Sequence, residues 1–373
     1  MHHTGSEIRT KVLLVGPDPV YSKGGMASVI SQIASSQFPD GYTFSSYPSY
    51  RDGLHGASKK KYELHQLLHF RKEIKKYDIA HINMTSRGSA FRKAWYVFAA
   101  KMAGKKVVIQ IHCCEYFIQE YKKYGSLYRF VVKRALQMAD AVLLLSEDTR
   151  KEFEDFFHLH SCIHFPNSIR PEKCKYQEST HGVIFAGKLS EDKGLSSLIL
   201  AMGWLKEHGI SEKLTVCGVS SKSIRCPDDS PCPVTPPGCT KEGLLCYKAL
   251  ASMHDVDAEF TGWENPDRLR DRLSGNAVMV LPSKHEGAPV SILEAMASGC
   301  AVIGTPTGAV PEMIPDGIVS PDPESIGKRL YELFSDPERI RKEARENYKR
   351  VCEKYDEQTV MKKLAEVYVY VLH

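Results

Sequence analysis

The sequence predicts an α/β protein built from two doubly wound, parallel-sheet domains in succession. Short apolar runs alternate with helical periodicities along the chain, the pattern of repeated βαβ units. A strand, a glycine turn and a helix open the chain, and the same series restarts near residue 183. At 373 residues the chain is also long for one hydrophobic core.

The first half begins with Lys11–Val15 (KVLLV), a run suited to a strand buried on both faces, ended by Gly16 and Pro17. Gly24 and Gly25 then lead into a helix with Val29, Ile30 and Ile33 on one side; such a glycine pair lets backbone approach a ligand closely. The spacing is not G-x-G-x-x-G, which disfavours a nicotinamide or flavin enzyme. Residues 45–61 are polar and read as a loop. Lys59–Tyr77 follows as a helix with Leu64, Leu67, Leu68 and Ile74 on one side and lysines elsewhere. It fits a sheet-covering helix with a solvated basic face better than a membrane-surface helix. Ile79–Ile82, Val107–Ile111 and Ala141–Leu145 are further strands, separated by helices near Ser89–Ala103 and Leu127–Ala139. His112 ends one of these strands, where ligands sit in open α/β sheets. The adjacent Cys113 and Cys114 lack metal-site spacing. Pro166–Ser168 and the polar run to Thr180 read as a linker.

In the second half Val183–Ala186 is a strand, and Gly187–Gly194 a turn with Lys188 and Lys193 flanking the entry to the next helix. Two cations beside helix N-terminal amides could hold a diphosphate. Leu214–Cys217 is the next strand. Residues 220–246 are a Pro-rich insertion with Cys226, Cys232, Cys239 and Cys246, whose spacing lacks the paired C-x2–4-C of a zinc site. Asp255–Val256–Asp257 precedes a strand and reads as solvated loop charge. Ala277–Leu281 and Cys300–Gly304 are buried strands joined by a turn holding Glu286 and a helix holding Glu294. Pro289 suits the first helical turn and Gly299 the left-handed position after the last. Glu294 lies off the helix's apolar stripe of Ile292, Leu293, Met296 and Ala297.

Apolar content of 42% and charge content of 25% are those of an ordinary globular protein. No apolar run reaches membrane-spanning length, and the first residues lack the long apolar core of a secretory signal. Eleven cysteines, some within strands, fit reduced thiols of a cytoplasmic protein. The net charge of +5 is uneven: residues 1–175 hold 27 Lys and Arg against 16 Asp and Glu, leaving 23 against 29 in the remainder. The basic half suggests an anionic partner; no stacking or groove-reading motif accompanies it, so nucleic acid is disfavoured and an anionic membrane surface is kept.

In order, the motifs are GGMASV, the strand ending in His112, FPNSI, FAGKLSEDKG, LTVCG, FTG and LPSKHEGAPVSILEAMASGCAVIGTPTGAVPE. Together they resemble the retaining GT-B glycosyltransferases of family 4, glycosyl transferases group 1. The resemblance implies two Rossmann-like domains facing each other across a cleft: an acceptor domain over 1–170, with 356–373 packing back on it, and a donor domain over 180–355. It implies that Glu294 binds the nucleotide ribose and that Lys188 and Lys193 neutralise the donor diphosphate. Gly24 and Gly25 would close over the phosphates, and Gly262 and Trp263 would read the base. His112 and Glu286 would stand at the donor sugar, with Gly287, Ala288, Pro289 and Val290 lining the donor pocket. His112, Glu286 and Lys193 are the implied catalytic set. Family members usually carry arginine where Lys188 stands, which exchanges a bidentate phosphate contact for a point charge. The implied donor is a nucleotide diphosphate sugar, UDP-linked rather than GDP-linked, with no metal and no cofactor. The implied acceptor is a glycan or a polyprenyl-diphosphate-linked glycan, used in cell-surface polysaccharide or glycoconjugate synthesis at the inner face of the membrane. Two alternatives share the same features: a sugar-nucleotide epimerase of this shape, and a non-catalytic partner subunit of a transferase.

Overall fold

The computed structural model describes residues 9–18, 21–22, 25–36, 38, 41–219 and 243–373. The chain divides into two compact units, residues 1–167 with 357–373, and residues 168–356.

The first unit runs β1 (Thr10–Pro17), α1 (Gly25–Ser35), β2 (Tyr42–Tyr50), α2 (Gly56–Glu73), β3 (Ile79–Met84), α3 (Gly88–Met102), β4 (Lys106–Ile111), α4 (Cys114–Lys123), α5 (Ser126–Met138), β5 (Ala141–Leu144), α6 (Glu147–Phe157) and β6 (Cys162–His164). All six strands are parallel, in the order β2-β1-β3-β4-β5-β6. The polar stretch expected to be a loop from residue 45 is therefore partly strand: β2 pairs along β1 from Thr10↔Tyr42 onward. Its sequence, YTFSSYPSY, has no apolar run because it is an edge strand that buries little, and an edge also tolerates Pro48. Within α2 only Phe70 is fully buried, while Leu64 and Leu68, expected on the sheet side, are exposed.

In the second unit come β7 (Val183–Ala186), α7 (Leu195–Glu207), β8 (Leu214–Cys217), α8 (Gly243–Met253), β9 (Ala258–Gly262), α9 (Pro266–Ser274), β10 (Val278–Leu281), α10 (Val290–Ala297), β11 (Ala301–Gly304), α11 (Val310–Met313), α12 (Pro323–Phe334) and α13 (Pro337–Arg350). A π-helical turn, Val351–Tyr355, leads into α14 (Glu357–Leu372). The five strands are parallel in the order β11-β10-β7-β8-β9, so the winding reverses between β7 and β10. Short runs such as VIFA and VMVL are fully buried because helices cover both faces of the sheet. The last four residues of the expected insertion open α8, so the insertion is shorter at that end; residues 220–242 lie outside the described set.

Helix α14 returns to the first unit. Val360, Leu364, Val367 and Tyr368 join Val12, Leu14, Ile30 and Ile33 in one core. The buried Tyr368 hydroxyl lies 2.7 Å from His81 Nδ1, and burial pushes that imidazole down to about 4. Among the described residues no helix is long and apolar enough to cross a membrane.

Candidate active site

In the second unit the candidate residues gather where strand order reverses, at the C-terminal ends of β7 and β10, where open sheets bind ligands. The turn after β7 ends in a 3-10 segment, Glu191–Lys193, and Gly194 follows at φ +70°. A Cβ on Gly194 would stand 2.1 Å from the Pro282 carbonyl oxygen, so glycine lets the two loops touch. The Lys284 amide donates to the Asp192 carbonyl at 2.8 Å, adding a second tie. Lys193 Nζ then reaches Glu286 Oε1 at 2.5 Å, and Ser283 Oγ donates to the same oxygen at 2.6 Å. The Glu286 side chain is only 8% exposed, so its charge is held by these partners more than by water.

The far side of the Glu286 turn is fixed as well. The Thr305 hydroxyl donates to the Ser283 carbonyl, and the Ala309 amide donates to the Gly287 carbonyl at 2.7 Å. Gly308, at φ +54°, leaves a Cβ no room: it would lie 2.3 Å from the carbonyl oxygens of both Glu286 and Gly287. Lys188 stands on the same β7 turn, exposed and without a hydrogen bond or ion pair among the described residues. Glu191 accepts from Ser196 Oγ and Tyr247 OH, which ties the turn to α7 and α8.

Pro289 caps α10 with extended backbone, so the helix begins at Val290, one residue later than its sequence suggests. Gly287 through Val290 are half-buried. The carboxyl group of Glu294, on the second turn of α10, makes no hydrogen bond or ion pair among the described residues. Burial pushes its carboxyl up to about 7, opposed by the Arg270 guanidinium. Gly262 ends the edge strand β9 and Trp263 follows it; Gly262 has φ +80° and accepts from the Gly218 amide at 2.8 Å, and the Trp263 indole is exposed. The structure thus joins Lys193 to Glu286, sets Lys188 on the same turn, and leaves Glu294 and Trp263 outside that hydrogen-bonded group.

In the first unit Gly24 lies outside the described residues; Gly25 opens α1 with nothing within 4 Å of a would-be Cβ. His112 follows β4, and its Nε2 lies 2.8 Å from Asn83 Oδ1. Asn83 Nδ2 faces the Val15 carbonyl at 3.5 Å, which orients the amide with its oxygen toward the imidazole. Nε2 therefore carries the proton and Nδ1 is the bare acceptor. Burial, then the neighbouring His81 and Lys93, push His112 down to about 3. Beneath it Lys93 is fully buried, donating to the carbonyls of Asn83 at 2.7 Å and Val15 at 3.3 Å. Burial holds this ammonium well below the usual lysine range.

Sequence reasoning missed Asn83, Lys93 and Ser283. Lys93 carried a signal: it is a lone charge among Ala90, Ala94, Val97 and Ala100, the buried side of α3. Asn83 and Ser283 carried none, since a polar residue at a strand end is ordinary. Asp255 pairs with Lys206 at the surface, as expected of loop charge. Among the described residues no three His, Cys, Asp or Glu side chains cluster as a metal site; Cys226, Cys232 and Cys239 lie outside that set.

Residues 170–351 match the family described as glycosyl transferases group 1, and residues 35–173 match glycosyltransferase family 4. A curated relative, alpha-maltose-1-phosphate synthase of Mycolicibacterium smegmatis, is 22% identical over 64% of this chain and 65% of its own length, so the chain spans a little under two thirds of it. Among solved structures, Anabaena HepE in complex with UDP and glucose covers 97% of this chain and 100% of its own, with a TM-score of 0.71 and 13% identity. WaaG, a glycosyltransferase involved in lipopolysaccharide biosynthesis, covers 95% and 99% with a TM-score of 0.64 and 15% identity. At such identities these structures establish the fold.

Proposed function

Because the chain belongs to the glycosyl transferases group 1, with the two Rossmann-like domains of the GT-B fold, we propose that it transfers a hexose or N-acetylhexosamine from a nucleotide diphosphate sugar to a glycan acceptor with retention of configuration. The observation that carries this reading is the Lys193–Glu286–Ser283 group at the strand-order reversal, beside the N-terminus of α10. UDP is the preferred nucleotide, in keeping with the UDP held by the similar HepE structure.

As the glycosidic C–O bond breaks, negative charge develops on the β-phosphate. Lys188 and Lys193, with backbone amides at the head of α10, are the groups to stabilise it. Two protein cations supply the neutralisation, so the proposal includes no divalent metal and no cofactor. Glu286, held by Ser283, positions the sugar or stabilises its oxocarbenium-like charge. Glu294 accepts from the ribose hydroxyls: a carboxylate with no protein partner is free to take two donors at once. Trp263 and the Gly262 backbone serve the base. His112, neutral with Nδ1 bare, accepts a hydrogen bond from a sugar or acceptor hydroxyl. Attack on the same face as the departing diphosphate gives retention. The acceptor is a glycan on a polyprenyl diphosphate, in cell-surface polysaccharide or glycoconjugate synthesis, with the enzyme at the inner membrane face.

The test is nucleotide release from a panel of UDP- and GDP-sugars, with and without soluble and polyprenyl-linked acceptors. Acceptor-dependent UDP release, with an α-linked product from an α-linked donor, is the expected result. An epimer formed from donor alone, or nucleotide binding without transfer to any acceptor, would overturn it.

A further inference from the structure

The outer surface of the first unit carries an apolar layer that the fold does not use. On α3, Phe91, Trp95, Phe98 and Met102 recur at the spacing of one helix row. The opposite side of the same helix, Ala90, Lys93, Ala94, Val97 and Ala100, is buried. A helix apolar on both sides is ordinarily covered on both. Here Trp95 is 43% exposed and Met102 75%. Neighbouring α5, which packs along α3, adds Leu127 and Phe130, each 70% exposed. Rings link the two helices: Tyr124 stacks on Tyr128 at 4.2 Å, Tyr128 on Phe91 at 5.7 Å, and Phe91 meets Trp95 edge-on at 6.2 Å.

The acids bordering this layer, Glu63, Glu120 and Asp140, are each paired with a cation, and the exposed charge of α5 has one sign. Residues 121–139 hold five cations (Lys122, Lys123, Arg129, Lys133 and Arg134) and no acid, and α3 itself contains no acid. Among the described residues Arg129, Lys133 and Arg134 form no ion pair. On α5 these three cations stand one residue before and three and four residues after the exposed Phe130. By contrast α2, the other lysine-rich helix, carries Glu63 and Glu73 among its cations.

We infer that the outward surfaces of α3 and α5 dock on an anionic lipid bilayer, with Leu127, Phe130, Trp95 and Met102 entering the headgroup–acyl boundary and Arg129, Lys133 and Arg134 on lipid phosphates. Aromatic residues favour that boundary, and cations with no protein partner keep their full attraction for a negative surface. A protein partner of equal area would need its own acidic rim, whereas an anionic bilayer supplies apolar depth and negative charge together. The inference concerns docking alone and is separable from the transfer reaction.

The experiment is flotation of the full chain with vesicles of phosphatidylcholine, alone or mixed equally with phosphatidylglycerol. Binding to the anionic vesicles at low salt, its loss at high salt, and little binding to neutral ones are expected. Arg129→Gln with Arg134→Gln weakens binding about 30-fold, at roughly fivefold per cation. Leu127→Ser with Phe130→Ser abolishes it, while Lys59→Gln, Lys60→Gln and Lys61→Gln together change it less than twofold. UDP-induced thermal stabilisation, unchanged in these variants, shows that they fold and keeps this test distinct from the catalytic one. Absence of anionic-vesicle binding, equal binding to neutral vesicles, or a larger loss from the α2 variant than from α5 would overturn the inference. So would a dimer in light scattering that Phe130→Ser dissolves, because a second copy would then be the occupant.

Discussion

Glu294→Gln is expected to stabilise the second unit at high pH and to impair the enzyme. Burial holds the Glu294 carboxyl near 7 in the folded chain, against 4.5 unfolded. Between those values the folded chain keeps a proton that the unfolded chain has released. Stability therefore falls as pH rises through that window and levels off above it. At 1.36 kcal/mol per unit of difference, the cost at pH 8 is about 3 kcal/mol at most, and it vanishes below pH 4. Glutamine has nearly the same shape and no charge to desolvate, so the variant gains roughly that amount at pH 8 and nothing at pH 4. The assay is urea unfolding at pH 4, 6 and 8, read by tryptophan fluorescence in a Trp95→Phe background, which leaves Trp204 and Trp263 as probes of the second unit. UDP titration of the same variant should show binding weakened roughly 10- to 100-fold, the worth of charged hydrogen bonds to two hydroxyls. An unchanged pH slope would refute the account of the buried carboxylate. Undiminished UDP affinity would refute its assignment to the ribose.

Lys193→Met removes the cation paired with the buried Glu286; unfolding should cost about 1–3 kcal/mol less, discounted because Lys193 is partly exposed, and UDP release should fall about 100-fold. Adding Glu286→Gln should recover the stability in urea but not the turnover, and recovery of both would oppose the assignment. His112→Ala should lower turnover about 100-fold. Since His112 sits near 3, the wild-type profile should show no acid limb from it around pH 6, and a limb there that disappears with the substitution would contradict the geometry. Gly194→Ala, forced onto φ +70° against the Pro282 carbonyl, should lower the urea midpoint by the equivalent of roughly 2 kcal/mol or more; wild-type stability would show that the loops are not in contact.

What could be read in the sequence was whatever burial writes into it. Strands such as VIFA and VMVL stand out because both sheet faces exclude water, and their alternation with helices marks two doubly wound sheets. β2 escaped notice because an edge strand is only partly buried, so YTFSSYPSY carries no apolar run. In the site, Lys188, Lys193 and Glu286 stood at strand–helix turns and Glu294 off the apolar stripe of its helix, and the motif resemblance singled them out. The ties between loops were not: Ser283, the Asp192–Lys284 bond and the clearance at Gly194 and Gly308 depend on which turns the sheet order brings side by side. The sequence does not state that β7 and β10 are neighbours; the topology does. Asn83 and Lys93 likewise matter only because β3 lies beside β4, under His112.

The two glutamates of the β10–α10 segment answer the same physical problem in opposite ways, and the difference assigns their roles. Glu286 is met by an ion pair and a hydroxyl, so in the free protein it already has partners, and so does Lys193. A diphosphate reaching this turn must compete with Glu286 for Lys193, whereas Lys188 is exposed and unpartnered among the described residues. Lys188 thus suits capture of the incoming anion, and Lys193 suits charge that appears only as the bond breaks, when a stronger anion can draw it from Glu286. Glu294 has no such arrangement: its burial is a standing cost that Arg270 only partly opposes and that a ligand's donors would offset further. A fold selected for stability alone would place glutamine there. A carboxylate kept at that position, eight residues from one that is fully paired, is what a site for a polyhydroxyl ligand requires.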